Sequence, residues 1–331
     1  MQKRASIIGD GQMGLVLADA LTVAGVEACV WGPFPEVVET LARTRENPRR
    51  MPGFHLADAV QVTADPREAL AGADLLFNAI PSQFIRPVWT RLAEAVPEGC
   101  PVVSVAKGIE NDTLLRPSEV LKAAAPRLGA ACALSGPTIA TELAARQPAV
   151  MVAASDDPSL PPEVQARLDV PWLRIYAGSD LLGVELAGAC KNVIALAAGI
   201  CDGLRLGDNA KSAVLARGLV EITRLGTAMG ADAGTFYGVA GVGDLATTCF
   251  SPHGRNRTCG EALGRGQSLA EFQASSDSVV EGVATARSLS ALATRFDVEM
   301  PIVRTVHAVL FEGLKPADGV VQLMARASGA E

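Results

Sequence analysis

The chain has 331 residues, of which 49% are hydrophobic and 20% charged. That length exceeds one domain of about 100–200 residues, so two domains are expected, and the apolar content excludes a disordered chain. Lys and Arg number 29 against 36 Asp and Glu, a net charge of −7; this balance argues against a nucleic-acid binder, but not against an anionic small molecule held by a few local cations.

In chain order, residues 5–8 form a short β-rich run that ends in glycine, and residues 12–24 follow with helical spacing. Residues 28–31 are a second strand, stopped by Gly32-Pro33, and 35–43 a helix. Strands are expected at 60–63, 75–80 and 102–106, with helices at 67–70 and 84–95 between them. Apolar runs without period-2 alternation suit strands covered on both faces, which means a doubly wound parallel sheet with helices on each side. Residues 149–154 and 173–176 read as late strands of the same domain. From Asp180 to Gly230 glycine, alanine and leucine recur at helical spacing, and 268–273, 285–295 and 300–311 read as helices, with Pro301 in a first turn. Residues 238–260 read as a turn-rich insert. The expected organisation is a Rossmann-type α/β domain over 1–180 and an all-α domain over 181–331, joined by a direct strand-to-helix passage.

Gly9-Asp10-Gly11-Gln12-Met13-Gly14 is a GxGxxG that follows the first strand and opens the first helix. The first glycine permits the tight turn, the second lets the backbone approach a pyrophosphate, and the third lets the helix pack on the strand. The helix N-terminus then offers unpaired N–H groups and partial positive charge. An ordinary glycine turn is the competing reading. After the second strand, an acid would bond the ribose hydroxyls of NAD and an arginine the 2′-phosphate of NADP. Trp31-Gly32-Pro33-Phe34-Pro35-Glu36 carries neither at the strand end, so the preference stays open.

Lys107 follows the strand at 102–106, at the edge where doubly wound sheets bind ligands. Ser135-Gly136-Pro137-Thr138, with Ala140 and Glu142 beyond, is a second glycine turn. It serves either as a plain strand–helix connection or as a set of backbone donors for substrate oxygens. Lys191 sits in mid-helix among small apolar residues, where a charge is costly unless paired or in a cleft. Burial lowers an ammonium pKa and makes a lysine a usable proton donor or acceptor near neutrality; the alternative is a lysine snorkelling to the surface. Gly241-Val242-Gly243-Asp244 and Gly254-Arg255-Asn256-Arg257 follow. An arginine there can fork onto a phosphate, and Asp244 can bond hydroxyls or orient a lysine. No His, Asp, Glu or Cys cluster has metal spacing, so no metal is expected.

The seven cysteines form no CxxC pair and lie in apolar segments, which reads as reduced thiols. The apolar run at 5–8 is shorter than a signal peptide requires. The longest near-apolar stretch, 186–200, contains Lys191 and Asn192, which argues against a membrane span. A cytoplasmic protein is expected.

Taken together, these residues resemble the NAD(P)-dependent glycerol-3-phosphate dehydrogenases of the bacterial type, from residue 7 to about 306. The matching pieces, in family order, are Gly9 to Gly14; Arg45-Glu46-Asn47-Pro48 with Met51-Pro52-Gly53; Ala79-Ile80-Pro81-Ser82-Gln83; Ala106-Lys107-Gly108; Ser135-Gly136-Pro137; Glu185 to Val193; Gly241 to Leu245 with Thr248-Cys249; Arg255-Asn256-Arg257; and Val280-Glu281-Gly282. The resemblance implies a Rossmann domain followed by a helical domain of the 6-phosphogluconate dehydrogenase C-terminal type. It implies hydride transfer between NAD or NADP and dihydroxyacetone phosphate, giving sn-glycerol 3-phosphate for glycerophospholipid synthesis, in a homodimer. Lys191 would be the proton donor and acceptor, and Lys107 would contact both substrate and cofactor. Gly136, Thr138, Asp244, Gly254, Arg255 and Asn256 would hold the substrate. Gly9, Gly11, Gln12, Met13, Gly14, Pro33, Ala140, Arg255, Val279 and Glu281 would line the nucleotide. Two positions depart from the family pattern: Gly254 replaces the usual serine before Arg-Asn, and Pro33 replaces a basic residue after the second strand. The alternatives are a dehydrogenase of another phosphorylated or carboxylated keto compound, or a cofactor-binding regulator without turnover.

Overall fold

The computed structural model describes residues 3–275 and 279–327. The chain forms two compact units: residues 1–106 with 116–184, and residues 107–115 with 185–331.

The first unit is built on one eight-stranded sheet. In chain order its elements are β1 (Arg4–Ile8), α1 (Gln12–Val23), β2 (Glu27–Trp31), α2 (Pro35–Thr44), β3 (Gln61–Thr63), α3 (Pro66–Leu70), β4 (Leu75–Asn78), α4 (Ile85–Leu92), β5 (Val102–Ser104), α5 (Pro117–Ala124), β6 (Ala131–Ser135), α6 (Ala140–Ala144), β7 (Ala149–Ser155), α7 (Leu160–Arg167) and β8 (Leu173–Gly178). The strand order is β3-β2-β1-β4-β5-β6-β7-β8. Side chains alternate between the two sheet faces. Ala5, Ile7, Val30, Leu75 and Phe77 join Leu15, Leu21 and Leu41 in one core. The opposite parity meets other helices: Ser6 Oγ donates to Ala69 O of α3 at 2.6 Å, and Trp89 Nε1 of α4 donates to Asn78 Oδ1 at 2.8 Å.

The sheet is not parallel throughout. β6 and β7 pair antiparallel, so β7 and β8 run against the first six strands. The connection between β6 and β7, residues 136–148, carries only the five-residue helix α6, a rise of about 7.5 Å. The glycine turn after β6 leads into α6, which begins at Ala140. Helices α5 and α7 stand where no helix was expected; α7 carries Pro161 and Pro162 in its first turn, where proline is tolerated.

The second unit is helical: α8 (Leu181–Gly203), α9 (Gly207–Ala228), α10 (Ala233–Phe236), a π-helical turn (Val239–Gly243), α11 (Asp244–Phe250), α12 (Arg255–Gly264), α13 (Leu269–Ser275), α14 (Glu281–Arg295), α15 (Pro301–Phe311) and α16 (Pro316–Met324). Residues 239–250 and 255–260 are therefore helical, with a turn at 251–254, where a turn-rich insert was expected. The glycines there serve close packing. A Cβ on Gly241 would lie 2.1 Å from Phe236 O, and one on Gly260 would lie 2.0 Å from Leu196 O. α16 carries Gly319 inside it. Helix α8 is the one described helix with the length and apolarity of a membrane span, and 94% of that stretch is buried inside the protein. A helix buried on all sides is a core helix.

All seven cysteines are buried thiols. Burial pushes Cys190, Cys249 and Cys259 up to about 12, so they pack as small hydrophobes.

One buried carboxylate links stability to pH. Glu221 of α9 accepts from Ile302 N at 2.8 Å and Val303 N at 3.2 Å, at the start of α15. Burial outweighs these bonds and raises its pKa from 4.5 to about 7. Between those values the native state holds a proton that the unfolded state has lost. Its contribution is complete below pH 4.5 and fades as pH rises through about 7, by about 3 kcal/mol in all. Glu221→Gln is expected to flatten the fall of the unfolding midpoint with pH across this window, measured by thermal scans of both proteins. Parallel curves would overturn this assignment.

Candidate active site

Two sets of residues form within the two units. In the first unit, the predicted nucleotide residues cluster at the carboxyl edge of the sheet. Gly9 follows β1 with φ +124°, a region closed to other L-residues, and a Cβ on Gly14 would lie 2.0 Å from Gly9 O. A Cβ on Gly11 would meet nothing within 4 Å, which leaves open space against the backbone. Helix α1 starts there with no side-chain cap. An open backbone at an uncapped helix N-terminus fits a pyrophosphate. Gln12 and Met13 form the first turn of α1. Gln12 Nε2 donates to Arg50 O at 2.8 Å, and the buried Asn47 donates from Nδ2 to Asp10 O at 3.0 Å. These bonds show that the stretch from Asn47 to Arg50 braces the glycine turn from outside.

Pro33 lies just past β2, which ends at Trp31. Gly136 follows β6 with φ +152°, and a Cβ there would lie 2.6 Å from Val150 O. Thr138 Oγ1 donates to Gly136 O at 3.0 Å and tightens that turn. Ala140 opens α6. The Oγ of Ser135, at the end of β6, is buried and has no hydrogen-bond partner among the described residues.

In the second unit the charged residues form one connected cluster. Lys191 of α8 donates from Nζ to Asp244 Oδ1 at 2.5 Å and to Thr248 Oγ1 at 2.7 Å. Lys107 Nζ donates to the other carboxylate oxygen of Asp244, at 2.6 Å. Asp244 is 1% exposed and Lys191 6% exposed. Two ammonium groups thus share one buried carboxylate, and these three side chains carry a net charge of +1. The Lys191 ammonium does not snorkel outward. Burial lowers its pKa to about 8; the Asp244 carboxylate opposes that fall and the Lys107 ammonium adds to it. The Thr248 hydroxyl gives its proton to Asp244 O at 2.7 Å, so it accepts from Lys191. An ammonium has three protons; two go to Asp244 and Thr248, and the third is left for a ligand oxygen.

Around this cluster Asn192 Nδ2 donates to Lys107 O at 2.8 Å. Asn256 Nδ2 donates to Asn192 Oδ1 at 2.8 Å, and Gly282 N donates to Asn256 Oδ1 at 2.9 Å. Asn256 therefore ties α12 to α8 and to the start of α14. The approach of α8 and α12 depends on small residues: a Cβ on Gly199 would lie 2.0 Å from Arg257 O. Gly254 is the N-cap of α12, without a side-chain cap, and Arg255 is the first helical residue rather than part of a loop. Arg255 is exposed, with no ion pair among the described residues. Val279 and Glu281 flank the start of α14 and are half-buried.

Sequence reasoning did not single out Thr248 or Asn192 as site residues. Thr248 stands one helical turn after Asp244, and Asn192 directly follows Lys191; the four-residue spacing that puts Thr248 beside Asp244 was the available signal.

Comparison with known proteins agrees with both halves. Residues 4–160 match the family described as NAD-dependent glycerol-3-phosphate dehydrogenase N-terminus, and residues 180–321 its C-terminus. The chain is 44% identical to "Glycerol-3-phosphate dehydrogenase [NAD(P)+]" of Geobacter metallireducens, over 100% of this chain and 99% of that one. It is 45% identical to "Glycerol-3-phosphate dehydrogenase [NAD(P)+] 2" of Salinibacter ruber, over 100% and 97%. The crystal structure of glycerol-3-phosphate dehydrogenase from Coxiella burnetii superimposes with a TM-score of 0.94 at 32% identity, covering 98% of this chain and 99% of that one. A Rossmann-type sheet with a glycine-turn nucleotide cradle, a buried lysine–carboxylate cluster on a helical unit, and these full-length matches place the chain in the NAD-dependent glycerol-3-phosphate dehydrogenase family, as an oxidoreductase that uses NAD(P).

Proposed function

We propose that this enzyme reduces dihydroxyacetone phosphate reversibly to sn-glycerol 3-phosphate, with Lys191 as general acid in reduction and general base in oxidation. The observation that carries this reading is the pair of ammonium groups sharing the buried Asp244 carboxylate. Bound NAD(P)H supplies the hydride to the carbonyl carbon. As negative charge builds on the carbonyl oxygen, the free proton of Lys191 stabilises it and is then transferred. A pKa near 8 keeps Lys191 protonated at neutral pH and still able to release the proton. Asp244 holds the Lys191 ammonium in place, and Lys107 adds positive charge beside it.

The substrate phosphate is assigned to Arg255 and the start of α12. That helix has ten residues and no side-chain cap, so its first N–H groups are free to receive an anion. Gly254 in place of serine removes a hydroxyl that would compete for them. Asn256 orients this helix end, while Gly136 and Thr138 contribute a turn of backbone donors. Gly9, Gly11, Gln12, Met13, Gly14, Pro33 and Ala140, with Lys107, Arg255, Val279 and Glu281, are the residues assigned to the nucleotide. In domain terms, residues 1–180 bind nucleotide and 181–331 supply the substrate chemistry. The product class suits supply of glycerophospholipid synthesis in the cytoplasm, and a homodimer fits the family.

The test is oxidation of NADH and of NADPH, separately, with dihydroxyacetone phosphate. Rapid substrate-dependent oxidation is the expected result. Binding of both nucleotides with oxidation of neither would overturn the substrate assignment.

A further inference from the structure

We propose that Asp10, inside the glycine turn, selects NAD over NADP by taking the place of the acidic residue that β2 lacks. The inference rests on the reading of the first unit as the nucleotide site and names a selectivity residue within it.

In Rossmann folds an acid at the end of the second strand bonds the ribose hydroxyl, and an arginine there receives the 2′-phosphate. Here β2 ends at Trp31 and is followed by Gly32 and Pro33. Glu36, the next acid, lies in the first turn of α2 and is exposed. Gly32 has no side chain, and the Val38 side chain and the Asp10 carboxylate together fill the space, Val38 Cγ2 lying 2.6 Å from where a Cβ would be. A Cβ on Gly32 would lie 2.8 Å from Asp10 Oδ2 and 3.0 Å from its Cγ. The carboxylate thus comes from the end of β1 to the point where a side chain at the end of β2 would begin. Its backbone is fixed there by the Asn47 bond to Asp10 O, at 3.0 Å.

That carboxylate is short of partners. Asp10 Oδ2 is buried and has no hydrogen-bond partner among the described residues. Burial raises its pKa, against the opposing effects of its own N–H and of the Arg50 charge. The residue as a whole stays partly exposed at the sheet edge. A ribose hydroxyl brings a donor to an acceptor-only group. A 2′-phosphate carries close to two negative charges at neutral pH and brings like charge to the same place.

The experiment measures the Kd of NADH and of NADPH by calorimetry for the intact enzyme, Asp10→Asn and Asp10→Ser, with kcat/KM for both nucleotides beside it. The native protein is expected to bind NADH at least tenfold more tightly than NADPH. Asp10→Asn is expected to weaken NADH about tenfold and to shrink the NADPH-to-NADH Kd ratio by at least tenfold, since charged hydrogen bonds of this kind are worth about that factor. Asp10→Ser carries the same expectation if the amide variant fails to fold, and thermal scans show which variants are folded. A native preference for NADPH, or a ratio unchanged in a folded variant, would overturn the proposal. Failure of the native protein to bind either nucleotide would instead overturn the nucleotide reading on which it rests.

Discussion

Lys191→Ala is expected to lower kcat for ketone reduction by about 10³-fold or more while leaving the Kd for NADH within about twofold. General acid catalysis by a placed side chain contributes about 10²–10⁴, and the positive charge beside a developing oxyanion adds to that. The nucleotide residues assigned here lie chiefly at the glycine turn of the first unit, so binding is largely spared. The pH profile gives a second readout. With a Lys191 pKa of about 8, kcat/KM for reduction needs the protonated form and falls as pH rises through about 8. Oxidation needs the neutral form and rises through the same value. Both limbs should vanish in the alanine variant. Lys191→Arg retains a charge but stays protonated far above neutrality, so it should support oxidation no better than alanine does. Equal losses in NADH affinity and in turnover would sink the catalytic assignment, because they would make Lys191 a residue of the nucleotide site or of the fold.

How much of this was legible in the sequence differs between the units. The alternation of apolar runs with helical segments carries the sheet, because strands buried on both faces leave a compositional mark. Strand direction leaves none. The reversal at β7 is seen only in how the strands pair. In the helical unit, glycine misled. At 238–260 it reads as turn chemistry, whereas Gly241 and Gly260 sit where backbones touch. The cost of a mid-helix charge pointed to Lys191, and the position after a strand pointed to Lys107. Their union through Asp244 lies 53 residues from one lysine and 137 from the other, a distance no local pattern encodes. Thr248 and Asn192 were missed for the same reason: a hydroxyl and an amide acquire meaning from the ammonium or carbonyl they face. Asp10 stood in plain view within the fingerprint, but its role depends on the space beside Gly32.

Asp244→Asn carries the other large effect, on stability and on the pH profile together. The carboxylate is 1% exposed and is the common partner of two lysines. Removing one partner of a buried ion pair costs about 3–5 kcal/mol, since the remaining charge is left uncompensated. Here two ammonium groups are left facing each other, and the unfolding midpoint should fall measurably. The protein has a way to reduce this cost: Lys191 can lose its proton. Asp244 is the group that holds the Lys191 pKa up against burial, and Lys107 is one that pushes it down. The high-pH limb of reduction should therefore move below about 8 in Asp244→Asn and above it in Lys107→Met. The two variants lower the rate through different losses, but they displace the limb in opposite directions. A residue that merely supports the fold would depress activity without moving that limb. An Asp244→Asn profile that is unmoved, or displaced upward, would show that the carboxylate does not govern the proton on Lys191.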